Sequence, residues 1–552
     1  MVITGVGIGR SMASGEVLCM APALREPEDV ARPEAISIED AKTSVRNALN
    51  AVNKDLNQRA EAALKATDEG TKKAAPIMQA LAQMASDPAL ISAIEAGISA
   101  GKTAERATWE GFAQFEDMLR NLGGYMAERA GDLHDVGQRV IASLLGVEAP
   151  GVPESDSPFV LVAKDLSPAD TASLDLSKVQ AIVTIDGGPT SHTAILARAR
   201  GIVAVVGAHD ACQLKNHQMV VVDAANNQVI SDPSEEEIEC VKKSHERLSR
   251  ARELRGLLGG TEDGHMIPLL ANVGKPSDAQ IAHEYGAEGV GLFRTEFLFI
   301  GNEKPPSVEE QTEAYTKLLS QFEGKKVVIR LLDAGADKPL PFLTPEDEPN
   351  PALGLRGLRT LRQHMDVLDG QLEALARADA ATNADLWVMA PMVADEHEAA
   401  YFVKLGKSKG LKKVGVMAEV PSIALVADEV AQVADFVSIG TNDLTQYTLA
   451  ADRTLGSVSN YQTAWHPAVL RAIKMIADAG NAHGMPVGVC GEAAADPDLA
   501  IVLVGLGVNS LSMTPVALDE VRAELMQTTF AQAQAQAREA LAGKFYHSIM
   551  QD

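Results

Sequence analysis

The chain has 552 residues, more than one ordinary domain holds, and 46% of them are hydrophobic, enough for several cores. Its formal net charge of -26 argues against nucleic acid or an anionic membrane as a partner and suits a partner with a basic face. No stretch reaches the roughly 18 apolar residues of a membrane span, MVITGVGIGRSM lacks the form of a secretory leader, and Cys19, Cys212, Cys240 and Cys490 make neither a CxxC pair nor a metal-finger spacing, so a reducing cytoplasm is expected.

Residues 1–20 read as short strands and turns. From Ile38 to about Leu145 the pattern is helical: Val45, Leu49, Val52 and Leu56 share one helix face, and Asp87-Pro88, Gly97 and Gly101 mark helix ends. A helical subdomain over 21–148 is expected. GVEAPGVPESDSP, from Gly146 to Pro158, is a Pro/Gly/Ser connector. FVLVA, VQAIVTID, GIVAVVG and MVVVDA then follow as strand-length runs of a small α/β domain over 149–231. Residues 1–20 would supply its missing strands, which makes the helical part an insertion. Ser234-Glu235-Glu236-Glu237 has the capping-box form and opens a charged linker helix within 232–260, expected to run to about Leu258 and stop at Gly259-Gly260.

Over 261–552 eight short apolar runs appear: MIPLLANV, GVGLFR, KVVIRLLD, LWVMAPMV, KVGVMAEV, FVSIG, PVGVCG and SLSMT. Most are separated by helix-length segments, which predicts a (β/α)8 TIM-like barrel; an open doubly wound sheet is the alternative. The barrel places chemistry at the C-terminal ends of its strands. Arg294 ends the second run, Arg330 and Asp333 the third, and Glu419 the fifth; Asn442 and Asp443 follow the sixth, and Cys490 and Glu492 end the seventh.

Glu419 and Asp443 are hard oxygen donors of the kind Mg2+ takes, and Arg294, Arg330 and Arg453 offer planar forks for phosphate and carboxylate. Together they describe a site for a small phosphorylated acid with a divalent ion. Taken singly, each has a plainer explanation, a salt-bridge arginine or an inert packed cysteine; their convergence on one rim favours a site.

His192 stands in IDGGPTSHTAILARARGIVAVVG. The strand ends at Asp186, Gly187-Gly188 permit a tight turn, and Thr190 or Ser191 can cap a helix that begins near His192. An imidazole there can carry a phosphate favoured by free N–H groups and the helix dipole.

GGPTSHTAILAR resembles the phosphohistidine signature of Enzyme I of the phosphotransferase system, the phosphoenolpyruvate–protein phosphotransferases. GVGLFRTEFLF, IRLLDAGADKPLPFL, NPALGLRGLR, VGVMAEVPS, FVSIGTNDLTQYTLAADR and VCGEAAADP resemble that family's barrel motifs, in its order. The resemblance covers nearly the whole chain and thins in the helical part. It implies an α/β multidomain enzyme: a swivelling phosphohistidine domain (1–20 with 149–231), a helical insertion (21–148) that docks the phosphocarrier HPr, a linker helix (232–260), and a barrel (261–552) that binds phosphoenolpyruvate and forms a homodimer. It implies phosphorylation of His192 on Nε2, substrate contacts from Arg294, Arg330, Asn442, Asp443 and Arg453, Mg2+ on Glu419 and Asp443, and Cys490 as the acid that protonates the enolate. Arg356 and Lys338 match positions near the substrate. The small domain must swing between barrel and HPr, with Gly259-Gly260 and the Pro/Gly connector as expected hinges.

Two departures stand out. Pro189 occupies a place where some relatives carry a basic residue, and Ser167 one where many carry Thr. Pyruvate phosphate dikinase and phosphoenolpyruvate synthase resemble the same His domain and barrel, but need a large ATP-binding domain ahead of the histidine; the residues before His192 read as helical, with no Gly-rich nucleotide loop. A non-catalytic regulatory paralogue is the other rival, set against it that every matched catalytic position is occupied.

Overall fold

A computed structural model describes residues 1–549 apart from 10, 22–23, 66–78, 80–81, 123, 148–149, 154, 167–169, 171–173, 189–190, 335–339, 345–347, 454, 456–457 and 459–460. Ser167, Pro189, Thr190, Lys338 and the side chain of His192 lie outside the described residues. The chain divides into two compact units, Met1–Lys242 and Lys243–Asp552, the division falling within the helix Glu235–Glu253.

In the first unit β1 (Val2–Thr4), β2 (Val6–Ile8), β3 (Met12–Cys19), β4 (Phe159–Ala163), β5 (Val179–Thr184), β6 (Val203–Val206), β7 (Met219–Asp223) and β8 (Gln228–Ser231) form one sheet in the order β1-β8-β7-β3-β4-β5-β6-β2. β3 through β6 run parallel to one another, while β1, β2, β7 and β8 join by antiparallel pairing. The sheet thus interleaves strands from the chain start with strands from 159–231: β3 lies between β7 and β4. FVLVA and VAVV are buried along their whole length, which is why they are continuous apolar runs rather than alternating ones.

Between β3 and β4 the described chain forms the helices Ile38–Lys65, Pro88–Ser99, Ala104–Leu122 and Gly124–Leu145. They share a core in which Val45, Leu49, Val52 and Leu56 meet Ile94 and Phe112. Asp87 caps the second helix by accepting from Ala89 N at 2.7 Å, with Pro88 in the first turn where no N–H is missed. Gly97 lies inside that helix; it is Gly101, at φ +98°, that follows its end.

The second unit holds a closed barrel of eight parallel strands: β9 (Leu269–Val273), β10 (Val290–Arg294), β11 (Lys326–Arg330), β12 (Asp385–Ala390), β13 (Lys413–Ala418), β14 (Val437–Ile439), β15 (Val487–Val489) and β16 (Ser510–Met513). β16 pairs with β9 in parallel, Leu511 opposite Leu269, which closes the ring and rules out the open sheet. The barrel is filled rather than hollow: Leu292, Val328, Trp387, Met389, Met417, Phe436 and Cys490 form one internal cluster.

The charged helix ends at Glu253, not near Leu258, and Gly259-Gly260 does something other than stop it. Gly259 donates to Glu288 Oε1 at 2.8 Å and accepts from Ile267 N at 3.0 Å; a Cβ there would meet the Ile267 carbonyl oxygen at 2.3 Å. Both glycines are buried and Gly260 bridges Met266. Glycine is needed here for close approach to the barrel.

Candidate active site

The mouth of the barrel, at the C-terminal strand ends, gathers a ladder of alternating charges. Glu296 follows β10 and pairs with the Arg330 guanidinium at the end of β11. Arg330 Nη1 lies 3.3 Å from Asp333 Oδ2. Arg356 donates Nε and Nη2 to Asp333 at 3.2 and 3.0 Å, and Nη1 and Nη2 to Asp443 at 2.9 and 3.1 Å. Arg453 Nη1 reaches Asp443 Oδ2 at 3.3 Å. Burial opposes the charge of both Arg330 and Arg356, yet the carboxylates around them hold them firmly protonated.

Local structure explains these positions. Asp443 is buried in the first turn of the helix Thr441–Leu449, which starts directly after β14. Asn442 beside it is locked to the next strand end, accepting from Glu492 N at 2.9 Å. Arg356 precedes Gly357, whose φ of +58° turns the chain where a Cβ would strike Met392 Cβ at 2.7 Å. Arg294 is exposed at the end of β10 and forms no ion pair among the described residues.

Glu419 is 1% exposed and accepts from Met392 N at 2.7 Å. Burial, then the charges of Asp443 and Asp333, push its carboxyl up to about 8. Cys490 is 2% exposed with Sγ 3.5 Å from the Ile439 carbonyl, and burial pushes its thiol up to about 11 although Arg330 and Arg294 pull the other way. In the other unit, Ser191 caps the helix His192–Arg200, its Oγ accepting from Ala194 N at 3.2 Å; β5 ends at Thr184, two residues before Asp186, and Gly187 has φ +93°. His192 is the first residue of that helix.

Residues 249–530 match the PEP-utilising enzyme, PEP-binding domain; 155–227 match the mobile domain of the same enzymes and 3–129 their N-terminal domain. The chain is 48% identical to a phosphoenolpyruvate-protein phosphotransferase of Streptomyces coelicolor over 98% of its own length and 96% of the relative's. The enzyme of that name from Haloferax volcanii is 40% identical over 85% of this chain and 84% of its own, and that from Bacillus subtilis 38% over 96% and 95%. The chain belongs to the phosphoenolpyruvate–protein phosphotransferases. As one of these phosphotransferases it is an enzyme, its α/β first unit and barrel corresponding to the architecture expected of the family.

What could hold a metal in this phosphotransferase is a pair, not a cage. No group of three or more His, Cys, Asp or Glu able to ligate an ion stands together among the described residues. Glu419 and Asp443 are hard oxygen donors whose charges repel, a repulsion that a cation would relieve; two carboxylates with substrate phosphate and water suffice for Mg2+. The donor set fits that ion. No helix among the described residues is long and apolar enough to cross a membrane.

The barrel brings together Arg330, Glu419, Asp443, Arg453 and Cys490, with Asn442 at the rim and Arg294 acting on the Cys490 thiol. Sequence reasoning missed Glu296 and Tyr447. Glu296 follows Arg294 by two, and Tyr447 follows Asp443 by four, the helix spacing that stacks side chains on one face. That spacing was the available signal for Tyr447.

Proposed function

We propose that the chain phosphorylates itself on His192 Nε2 from phosphoenolpyruvate, passes the phosphoryl group to a histidine of the phosphocarrier HPr and releases pyruvate, the first step of sugar phosphotransferase transport. The observation that carries this reading is the ladder of ion pairs at the barrel mouth. Arg330, Arg356 and Arg453 pair with Glu296, Asp333 and Asp443, while Arg294 forms no ion pair among the described residues and burial holds the Glu419 carboxyl up. Such a cluster can trade internal ion pairs for a phosphorylated acid and a divalent cation.

In this reading Arg294, Arg330, Asn442, Asp443 and Arg453 contact phosphoenolpyruvate, with Arg356 beside them, and Glu419 and Asp443 hold Mg2+. The bound ion would neutralise charge on the transferring phosphoryl group. The arginines grip the phosphate and carboxylate in line with His192. The bond from phosphorus to the enol oxygen breaks as the N–P bond forms. The enolate takes a proton at its methylene carbon from the Cys490 thiol, giving pyruvate and a thiolate that regains its proton from water. A thiol pushed up by burial keeps its proton until so basic a carbon asks for it. The capped N-terminus of the helix His192–Arg200 supports a phosphate on its first residue.

Residues 1–20 with 149–231 then form the phosphohistidine domain, 21–148 dock HPr, 232–260 link, and 261–552 bind substrate and dimerise, all in the cytoplasm. In this reading the small domain swings between barrel and HPr, with Gly259-Gly260 held against the barrel at the base of the linker. The test is intact mass after mixing with phosphoenolpyruvate and Mg2+, wild type beside His192→Ala. One acid-labile phosphoryl group, absent from the variant, is expected. A gain that persists in the variant would mean another nucleophile, and no gain in wild type would sink the reading.

A further inference from the structure

Tyr447 sits one turn after Asp443 on the helix Thr441–Leu449, and its hydroxyl is a joint between two segments of the site. It accepts from Arg356 Nη1 at 3.1 Å and donates to the carbonyl of Ala352, on the short turn Pro351–Leu353 that leads into Arg356. One oxygen therefore fixes both the guanidinium and the chain four residues ahead of it. Burial pushes the phenol up, so it stays an O–H donor.

The partners of Arg356 differ in what they can keep. Asp333 holds Nε and Nη2, Asp443 takes Nη1 and Nη2, and Tyr447 shares Nη1. Asp443 is also the residue read above as a metal ligand, so its grip on Arg356 must loosen as substrate and ion enter. Tyr447 is neutral: it competes neither for the ion nor, as an anion would, for the arginine's charge. Its hydrogen bond can persist through that exchange, leaving the donors that face Asp443 for the substrate.

We infer that Tyr447 is a positioning residue for phosphoenolpyruvate recognition, its hydroxyl holding Arg356 aimed at the substrate when Asp443 releases it. The inference rests on the reading that Arg356 contacts phosphoenolpyruvate. No charge moves and no bond to substrate is made by Tyr447 itself.

Tyr447→Phe removes the hydroxyl and keeps the ring. Tyr447→Phe, Arg356→Lys and the double variant are compared in the full chain with Mg2+, reading kcat and KM, the melting temperature, and phosphoenolpyruvate affinity by calorimetry in the His192→Ala background. Tyr447→Phe should raise KM and the calorimetric Kd about tenfold, the size of one hydrogen bond to a charged group. It should leave kcat within about twofold, and add little on top of Arg356→Lys. If Arg356→Lys weakens binding but Tyr447→Phe does not, the role of Tyr447 is overturned. A Tyr447→Phe protein that melts early and loses kcat at unchanged KM overturns it too, since that marks a merely structural bond. If Arg356→Lys itself binds normally, the reading of Arg356 beneath the inference is what fails.

Discussion

Asp443 takes both terminal nitrogens of Arg356, Nη1 at 2.9 Å and Nη2 at 3.1 Å, while Arg453 leans on the same carboxylate at 3.3 Å. The acid proposed to hold the metal is therefore spent on two of the arginines proposed to hold the substrate. Neither ligand can bind without undoing pairs that the other helps to replace, and a multiply charged anion gains little from arginines already paired with carboxylates until a cation joins it.

In the His192→Ala protein, which cannot accept the phosphoryl group in this reading, Mg2+ should therefore tighten phosphoenolpyruvate binding at least about tenfold, and the substrate should tighten Mg2+ by the same factor. Asp443→Asn should lose most of this enhancement. Its binding without metal should be no weaker than that of the parent, because the arginines lose a competitor. Calorimetry with and without Mg2+ measures both. An enhancement equal in the two proteins would contradict the assignment of Asp443.

Behind the ladder Gln371 is fully buried and makes three hydrogen bonds: it accepts from Leu332 N at 3.0 Å and donates to Thr295 Oγ1 at 3.2 Å and Tyr315 OH at 3.0 Å. Thr295 in turn donates to the Arg330 carbonyl at 3.0 Å. Gln371→Leu keeps most of the volume but strands the Leu332 N–H, and should cost about 2 kcal/mol or more. Because Leu332 lies between Arg330 and Asp333, KM for phosphoenolpyruvate should rise as well. Thermal melting and steady-state kinetics check the pair of effects; a lower melting point with unchanged KM would limit Gln371 to the core.

The barrel was legible because parallel strands buried on both faces must be apolar throughout, and KVVIRLLD or KVGVMAEV announces that without help. The strand-end rule then delivered Arg294, Arg330, Glu419, Asp443 and Cys490. What hid Glu296 and Tyr447 is that their importance lies in partners far along the chain: Glu296 meets Arg330 and Tyr447 meets Arg356, pairings that only closure of the barrel creates. Gly259-Gly260 misled for a related reason. A glycine pair reads as a break, whereas Gly259 is required by the approach of Ile267 and Glu288.

Cys490 is a free, buried cysteine enclosed among Leu292, Met389 and Met417. Its proposed use is the proton alone. Cys490→Ala should slow pyruvate formation about 10²- to 10⁴-fold, the range for loss of a general acid, while phosphoenolpyruvate affinity in the His192→Ala background stays within about twofold. Pyruvate release by a coupled assay gives the first quantity and calorimetry the second. Unimpaired release would pass the role to another acid.

At the start of β11, Lys326 Nζ lies 3.7 Å from the centroid of the Trp387 ring, and Trp387 Nε1 donates to Asp385 at 2.7 Å. Burial pushes the Lys326 ammonium down to about 8, with Asp385 pulling weakly the other way. A lysine whose folded pKa is depressed gives up its proton more easily folded than unfolded. Stability therefore rises with pH between about 8 and the ordinary value near 10.4, and the penalty is fully present below 8. The aromatic face returns some of that cost, since a cation over an indole is worth about 1–2 kcal/mol. Desolvation is the larger of the two, so Lys326→Met should melt higher than wild type at pH 7 by the equivalent of about 1 kcal/mol, with the gap closing as pH approaches 10. Melting curves of the two proteins across that range decide it. A variant less stable than wild type at pH 7 would mean that the cation–π contact outweighs desolvation and that Lys326 belongs to the barrel as a charged group.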